Sequence, residues 1–220
     1  MIVNPRITDY IHSLDSGNGA VCDEIAREAR KSGIPIIKKE TESLLKTLVA
    51  LKQPKAILEV GTAVGYSALL MSRVMPADCH ITTIEKYEPR LPVARANFQK
   101  SGQESRITLL EGDAEEILTG LEGSFDFIFM DAAKGQYLHW LPLILELMPV
   151  GGVLLSDNVL QDGDIIQSRF AVERRNRTIH SRMREYLYQL THHPQLETTL
   201  LPLGDGVAIS VRVDEREGSL

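Results

Sequence analysis

The stretch Ile57-Leu-Glu-Val-Gly61-Thr-Ala-Val-Gly65-Tyr-Ser-Ala-Leu-Leu-Met71 decides the fold. Its first four residues are mostly apolar, which is typical of a short buried strand, and Ser67 to Val74 reads as a helix. Gly61 and Gly65 therefore fall in the turn between strand and helix. Such a turn borders the crevice where open α/β sheets bind ligands, and the helix after it offers unpaired N–H groups. Because glycine lets a backbone approach a ligand closely, we predict a ligand-binding turn.

The spacing of this turn selects among ligands. A dinucleotide site has the pattern G-x-G-x-x-G and a P-loop has G-x-x-x-x-G-K-[ST], whereas this turn has G-x-x-x-G, no lysine, and the acid Glu59 before the first glycine. The pattern therefore favours neither a pyrophosphate nor a triphosphate, and the acid suits a cation. The form E-x-G-x-x-x-G resembles the first motif of class I S-adenosylmethionine-dependent methyltransferases, whose cofactor has a cationic amino-acid end. A tight turn without a ligand is the alternative.

The composition bounds the kind of protein. A chain of 220 residues fits one α/β domain. A net charge of −6 with a pI of about 5.6 argues against a generally basic surface that binds nucleic acid, though not against a local basic patch. Cys22 and Cys79 form no C-x-x-C pair, so we expect neither a disulfide framework nor a zinc site, and a reducing cytoplasmic setting. Because no apolar run reaches the roughly 18 residues of a membrane span, and the first residues do not resemble a signal peptide, we expect a soluble protein.

Residues 1–51 contain no strand pattern, and their periodicity predicts helices at Ile7–Leu14, Ala20–Ser32 and Glu40–Leu51. This segment precedes the strand of the glycine turn, so it is an addition to the core sheet. One interpretation is that it covers a sheet edge or forms the contact face of a homodimer. The other is that Ile34-Pro-Ile-Ile37 closes over the cofactor as a lid, which makes Ile37 a candidate contact.

From residue 55 to residue 213 the chain alternates strand and helix patterns, and we predict one domain over residues 1–220. Parallel strands are predicted at Ile57–Val60, His80–Glu85, Arg106–Leu110, Phe125–Asp131 and Gly152–Ser156. The last two strands, Leu196–Leu203 and Val207–Val213, have a link too short for a crossover helix, so they should form an antiparallel hairpin. The prediction is a doubly wound, mostly parallel, Rossmann-like α/β sheet of seven strands with N-terminal helices and a C-terminal hairpin. This arrangement resembles the class I methyltransferase fold.

Acids follow the second and third strands at the same edge of the sheet. Glu85 ends the second strand, at a position where an acidic side chain would meet ribose hydroxyls. Gly112-Asp113-Ala114 follows the third strand and is predicted to border the adenine. Glu85 could instead be a solvated carboxylate at a strand end. Asp113 could be a helix cap, which is compatible with a place beside the adenine.

The fourth and fifth strands also end in polar side chains. Asp131, Asp157 and Asn158 would supply oxygen ligands from these neighbouring strand ends, with no histidine or thiolate nearby in the sequence. Oxygen-only ligation suits a hard cation, above all Mg²⁺, which keeps waters that a substrate can replace. The alternative is that Asp157-Asn158 only caps a turn.

Together these motifs resemble the cation-dependent class I O-methyltransferases that include catechol and caffeoyl-coenzyme A methyltransferases. The matching segments are Glu59–Ser67, Glu85, Asp131–Tyr137 and Asp157–Leu160. The resemblance implies that Asp131, Asp157 and Asn158 bind the metal, that Asp131 thereby acts in catalysis, and that Lys134 is a general base. The predicted cofactor site consists of Ile37, Glu59, Gly61, Thr62, Tyr66, Ser67, Glu85, Asp113, Ala114 and Asp131.

The chemistry of methyl transfer to oxygen defines the substrate. The attacking hydroxyl must be electron-rich, whereas a phenol-like hydroxyl has a pKa near 10. A divalent cation bound by two adjacent substrate oxygens favours the ionised form, and Lys134 could accept or relay the proton. An ammonium group accepts no proton, so this role requires surroundings that favour the neutral amine; a plain surface lysine is the alternative. The substrate should carry two vicinal oxygens, as catechols and 5-hydroxyuridine do.

Segments 34–36, 131–137, 156–160 and 204–210 are similar to the bacterial branch of this family that methylates 5-hydroxyuridine in tRNA to 5-methoxyuridine. Arginines that suit phosphate contacts follow the fifth strand, at positions Arg169, Arg174, Arg175, Arg177, Arg182 and Arg184. Of these, Arg174, Arg175 and Arg177 are our candidates for RNA contacts. A solvated helix face paired with Glu173 and Glu185 is the alternative, and a small catechol or phenol is the alternative substrate. The remaining candidates, His180, His192 and His193, are expected at the surface.

Overall fold

The computed structural model describes residues 4–168 and 170–215, with the backbone alone of Asp162. The helices are α1 (Pro5–Ser13), α2 (Ala20–Lys31), α3 (Lys39–Lys52), α4 (Tyr66–Ser72), α5 (Leu91–Lys100), α6 (Ala114–Gly120), α7 (Tyr137–Leu147) and α8 (Arg177–His192). The strands are β1 (Ala56–Val60), β2 (His80–Glu85), β3 (Ile107–Glu111), β4 (Phe127–Met130), β5 (Val153–Asp157), β6 (Leu196–Leu201) and β7 (Val207–Arg212). Short 3₁₀ turns lie at Glu88–Arg90, Lys134–Gln136, Gln161–Ile166 and Arg174–Asn176.

The described strands form one seven-stranded sheet in the order β3-β2-β1-β4-β5-β7-β6. Strands β1 to β5 pair in parallel, and β7 is antiparallel to both β5 and β6. The predicted fold class and the terminal hairpin are therefore confirmed, and each predicted boundary of a helix or strand lies within two residues of the observed one. The strand order reverses between β1 and β4, so the crevice expected in such sheets lies at the carboxyl ends of these strands.

Both faces of the sheet are covered because its central strands are apolar on both sides. Along β4, Phe127 and Phe129 join the core on one face, and Ile128 and Met130 join the core on the other. Helices α2 to α5 pack over the first face, and α6 to α8 pack over the second. A continuous apolar run is what a doubly covered parallel strand requires.

Helices α2 and α3 do not cover an edge of the sheet. Helices α2 and α3 contribute buried residues to the first face, and they contact α4, which follows the glycine turn. The predicted edge position is therefore wrong, because the apolar sides of these helices lie over the sheet.

Among the described residues, no helix has the length and apolarity needed to cross a membrane.

Candidate active site

A cavity of about 490 Å³ lies at the carboxyl ends of β1, β2, β4 and β5. This size falls within the range of about 300–1,000 Å³ that is usual for small-molecule sites. Its wall is made by residues at 35–38, 60–63, 66–67, 84–86, 112–115, 131–134 and 157–158, together with Arg90, Gln136, Trp140 and Asp205. Loops far apart in the sequence meet here because parallel strands bring their carboxyl ends to one edge.

Glycine is required in the β1–α4 turn by the protein's own packing. Gly61 has φ 107° and Gly65 has φ 82°, both in the left-handed region. A Cβ atom at Gly61 would lie 2.1 Å from the carbonyl oxygen of Asp131, and one at Gly65 would lie 2.4 Å from the ring of Phe98. The sequence predicts these glycines from close approach of a ligand, whereas two protein neighbours, Asp131 and Phe98, also require them.

Glu85 links the glycine turn to the end of β2. Its carboxylate accepts hydrogen bonds from the backbone N–H groups of Ala63 at 2.7 Å, Lys86 at 3.0 Å and Tyr87 at 2.8 Å. The side chain borders the cavity. Because a carboxylate has about four lone-pair sites and three are in use, it can still accept a hydrogen bond from a ligand hydroxyl.

Asp113 is the N-cap of α6, as one interpretation of the sequence predicted. Its carboxylate accepts from the N–H of Glu115 at 2.9 Å, and the residue also borders the cavity. The ammonium group of Lys86 lies 2.7 Å from the same carboxylate, and this bond lowers the pKa of Asp113. A capped helix start thus fixes the position of Ala114 at the wall.

Nine of the ten predicted cofactor residues border this one cavity, namely Ile37, Gly61, Thr62, Tyr66, Ser67, Glu85, Asp113, Ala114 and Asp131. Glu59 is the exception. Its side chain is fully buried behind the turn, where one oxygen accepts from the hydroxyl of Thr83 and the other has no partner among the described residues. Ser67, which does border the cavity, lies next to the Glu59 carboxyl group.

The predicted metal ligands and Lys134 lie together at one end of the cavity. The ammonium group of Lys134 donates to Oδ1 of Asn158 at 2.8 Å, and the Asn158 side chain lies beside the Asp131 carboxylate. Asn158 has φ 66°, a left-handed conformation that asparagine tolerates better than most residues. Such a backbone conformation is often found at functional positions.

The two carboxylates at this end are deeply buried. Burial raises the pKa of both Asp131 and Asp157, and the nearby Asp131 charge adds to the effect on Asp157. Oδ1 of Asp157 is buried and has no hydrogen-bond partner among the described residues. Two carboxylates and an amide oxygen with one acceptor left open fit a hard cation such as Mg²⁺. Within residues 4–168 and 170–215, no group of three or more His, Cys, Asp and Glu side chains is placed to hold a metal, so the proposed set depends on the amide.

Sequence reasoning missed several residues of the wall. Asp205 lies in the β6–β7 link, borders the cavity, and forms an ion pair with Lys38 of the 34–38 segment. Trp140, on α7, also borders the cavity. Trp140 could have been found, because it lies one helical turn beyond Tyr137 on a helix that starts beside Lys134. The position of Asp205 depends on how the terminal hairpin folds back, which carries no local sequence signal.

Half of the arginine cluster supports the protein's own loops. Three guanidinium groups donate to backbone carbonyl oxygens: Arg177 to Phe170 and Val172, Arg182 to Gly135, and Arg184 to Ile165. Two nitrogens of the Arg177 guanidinium group, Nε and Nη2, are therefore already engaged by the protein's own backbone. A one-dimensional count of positive charges cannot reveal such partners, because they are carbonyl groups brought near by the fold.

Arg174 and Arg175 are exposed, as the RNA hypothesis requires. Arg175 pairs with Glu173 at 2.7 Å, as the alternative interpretation predicted, while Glu185 hydrogen-bonds Gln189 instead. Arg169 lies outside the described residues.

The histidines were predicted at the surface, and this is wrong for His180. Only 2% of His180 is exposed, and neither ring nitrogen has a hydrogen-bond partner within the described chain. A signal was present, because positions 180, 183, 186 and 190 share the buried side of α8. His192 is exposed and stacks on Tyr188 at a centroid distance of 3.9 Å.

The fold and the site together define a class I S-adenosylmethionine-dependent methyltransferase. Solved structures share the architecture: the SAH-bound Podospora anserina methyltransferase PaMTH1 has a TM-score of 0.86 at 28% identity, covering 96% of this chain and 95% of that one. A model of the O-methyltransferase family matches residues 14–213.

The chain belongs to this O-methyltransferase family. It is 35% identical over 179 residues to caffeoyl-CoA O-methyltransferase 1 of Eucalyptus globulus, covering 77% of this chain and 71% of that protein. It is 33% identical over 171 residues to the catechol O-methyltransferase of Niastella koreensis, covering 74% of this chain and 75% of that protein. The chain is thus an enzyme that transfers a methyl group from S-adenosylmethionine to oxygen.

The burial of Glu59 predicts a specific pH dependence of stability. Burial raises the pKa of Glu59 from its usual 4.5 to about 7, so the folded chain holds a proton that the unfolded chain releases within this window. Stability is therefore lost as the pH rises from 4.5 to about 7, and Glu59→Gln should remove this loss. Each pH unit within this window lowers the free energy of unfolding of the wild type by about 1.4 kcal/mol. Between pH values of about 5 and 8, the free energy of unfolding of Glu59→Gln should therefore rise relative to that of the wild type by about 3 kcal/mol at most.

Urea unfolding of both proteins at the two pH values measures this difference. Glu104→Gln, a change at an exposed glutamate, is the matched control and should keep the pH dependence of the wild type. If the free energies of unfolding of wild type and Glu59→Gln change in parallel with pH, the buried carboxyl does not titrate in this window.

Proposed function

We propose that this enzyme methylates one of two vicinal oxygens of its substrate and that it requires Mg²⁺. The observation that carries the proposal is the end of the cavity where Asp131, Asp157, Asn158 and Lys134 meet, with the buried Oδ1 of Asp157 open to a further partner. This end adjoins the glycine turn, so a methyl donor in the cavity and an acceptor at the polar end would be neighbours.

The residues have distinct proposed roles. Asp131, Asp157 and Asn158 would hold the cation, which when bound supplies positive charge that favours the ionised form of a substrate hydroxyl. Lys134, whose Nζ atom lies 2.8 Å from Oδ1 of Asn158, would receive the hydroxyl proton at Nζ from its neutral amine form. Glu85 and Asp113 would hold the ribose and adenine end of the cofactor, and Ile37 would cover it. The whole chain would act as one domain.

For the substrate we propose 5-hydroxyuridine in tRNA. The N-terminal end of α8 packs on the turn that carries Lys134, through Ile179 near Gly135 and the Arg182 hydrogen bond to the Gly135 carbonyl. The segment just before α8 exposes Arg174, Arg175 and the ring of Phe170, which is 84% exposed. Exposed arginines suit phosphates, and an exposed aromatic ring suits a splayed base.

The ion pair between Arg175 and Glu173 does not oppose this substrate. Its side chains are 81% and 66% exposed, and exposed pairs contribute little, typically about 0–1 kcal/mol. A phosphate could therefore replace Glu173 at small cost. The second candidate is a small catechol or phenol, which is favoured by the similarity to the Niastella koreensis catechol enzyme and the plant caffeoyl-CoA enzymes.

We also propose a homodimer in the cytoplasm. All residues of α1 are at least partly exposed, and Ile7, Tyr10, Ile11 and Leu14 form an apolar stripe with exposures of 49–66%. One stripe on one helix can pair with its own copy across a two-fold axis. Both cysteines are free and buried, which suits a reducing compartment.

The metal proposal predicts the effect of a chelator and of Asp157→Asn. EDTA should abolish methylation and Mg²⁺ should restore it. Asp157→Asn should keep its fold and its affinity for S-adenosylmethionine but lose more than about 100-fold in kcat, since a cation at the reacting oxygens is worth several kcal/mol.

Methylation rates with a catechol probe, together with circular dichroism and cofactor titration, measure these effects. Asp78→Asn is the matched control, because Asp78 is exposed just before β2, at the amino end of the parallel strands. Full activity in excess EDTA would show that the acids have a structural role only.

The tRNA proposal predicts that two substrates respond differently to one variant. Replacing Arg174 and Arg175 by alanine should weaken binding of tRNA and lower the slope of log affinity against log salt by about one for each lost phosphate contact. Methylation of a small catechol should be unchanged, because its chemistry needs the cavity alone.

Salt-dependent binding assays and methylation assays on tRNA with and without 5-hydroxyuridine provide the measurements. The control carries Arg27→Ala and Lys31→Ala on α2, a change of equal charge on another exposed surface. Unchanged methylation of tRNA by the Arg174 and Arg175 variant would move the small-phenol substrate to first place.

The dimer proposal predicts that Ile7→Glu with Ile11→Glu yields a monomer, because buried charge would replace apolar contact on the stripe. Light scattering measures the mass. Asp9→Lys, on the opposite side of α1, should keep the mass of the wild type. A monomeric wild type would exclude the proposed interface.

A further inference from the structure

The hydroxyl group of Tyr137 joins three backbone positions at the polar end of the cavity. It accepts from the N–H of Ala132 at 3.0 Å. It donates to the carbonyl oxygen of Met130 at 3.1 Å, with the carbonyl oxygen of Asp157 close by at 3.4 Å. One buried hydroxyl therefore contacts the ends of two neighbouring strands and the loop between one of them and Lys134.

These backbone positions carry the candidate metal ligands. Met130 and Ala132 flank Asp131 in the chain, and Asp157 is itself the second acid. The side chain of Tyr137 does not border the cavity, so it can act on the metal site only through these backbone groups. The hydroxyl therefore links the backbone segments that carry the two carboxylates.

The ring of Tyr137 is held rigidly. It is fully buried and lies edge-on to the ring of Tyr186, with 5.5 Å between the ring centroids. Its centroid lies 6.3 Å from that of the Trp140 ring. The hydroxyl of Tyr186 in turn hydrogen-bonds the side chain of Ser156 at 2.7 Å. Tyr137 and Tyr186 thus lie in one cluster of buried rings. Among the described contacts, the hydroxyl of Tyr186 bonds a side chain, whereas the hydroxyl of Tyr137 bonds the backbone of the segments that carry the candidate metal ligands.

We propose that Tyr137 is a positioning residue for the metal site: its hydroxyl sets the spacing of Asp131 and Asp157 and thereby the affinity for the cation. The inference rests on the proposed metal function and goes beyond it, since it assigns a role to a residue that touches neither metal nor substrate. Groups that orient metal ligands in this indirect way typically change the affinity by about 10–100-fold when removed.

The test compares Tyr137→Phe with Tyr186→Phe. Each variant loses one buried hydroxyl from the same aromatic cluster, so both should unfold at lower urea concentration than the wild type. Calorimetric titration with Mn²⁺ alone, as the probe for a hard divalent cation, should show an affinity lower by about 10–100-fold for Tyr137→Phe. The affinity of Tyr186→Phe should stay close to that of the wild type.

The possible outcomes separate the two proposals. Wild-type affinity in Tyr137→Phe, or an equal loss in both variants, would overturn the role of Tyr137 and leave the metal site standing. A wild type that binds no Mn²⁺ would overturn both.

A second measurement does not depend on the folding of either variant. In the wild type the amide proton of Ala132 should exchange slowly with solvent, because it donates to a buried oxygen. Rapid exchange would show that the hydroxyl does not hold this loop.

Discussion

The contact between the glycine turn and the end of β4 is the constraint on which the site depends. A Cβ atom at Gly61 would come within 2.1 Å of the Asp131 carbonyl oxygen, so the two segments touch backbone to backbone. The N–H of Asp131 also donates to the carbonyl of Val60 at 3.0 Å. Because no side chain separates them, the turn that would hold the cofactor and the loop that carries Asp131 and Lys134 are a single rigid unit. This is why residues predicted from separate motifs border one cavity.

Two glutamates at the ends of adjacent strands show how the fold divides similar residues between different roles. The parallel register places Glu59 opposite Thr83, whose hydroxyl bonds it inside the protein. Glu85 lies two positions beyond Thr83, at the cavity, with three backbone N–H groups on its carboxylate. Both acids stand beside the glycine turn in a motif, but only Glu85 can reach a ligand directly. Glu59 instead lies buried behind the turn, next to Ser67 at the start of α4.

The sequence was informative where structure follows from local patterns. Buried strands such as β4 are recognisable because four consecutive apolar residues must be covered on both faces. It was less informative where a polar side chain finds a distant partner. Arg182 and Arg184 resemble RNA contacts in the sequence, yet both donate to carbonyls of loops that only the fold brings near. The position of Asp205 likewise depends on the returning hairpin, so it could not be read from its own neighbours.

The charges of the cavity explain why the binding functions cannot all be separated by mutation. Asp131 borders the cavity and lies beside both Asn158 and Lys134, so it belongs to the proposed cofactor site and the proposed metal site at once. Replacing Asp131 would remove a negative charge that the cationic cofactor, the metal ion and Lys134 would all share. Asp157 lies only in the proposed metal site, where its Oδ1 has no partner among the described residues. Glu85 lies only beside the glycine turn, in the proposed cofactor site. Substitutions at Glu85 and at Asp157 therefore test cofactor binding and cation binding separately, whereas a substitution at Asp131 would affect both.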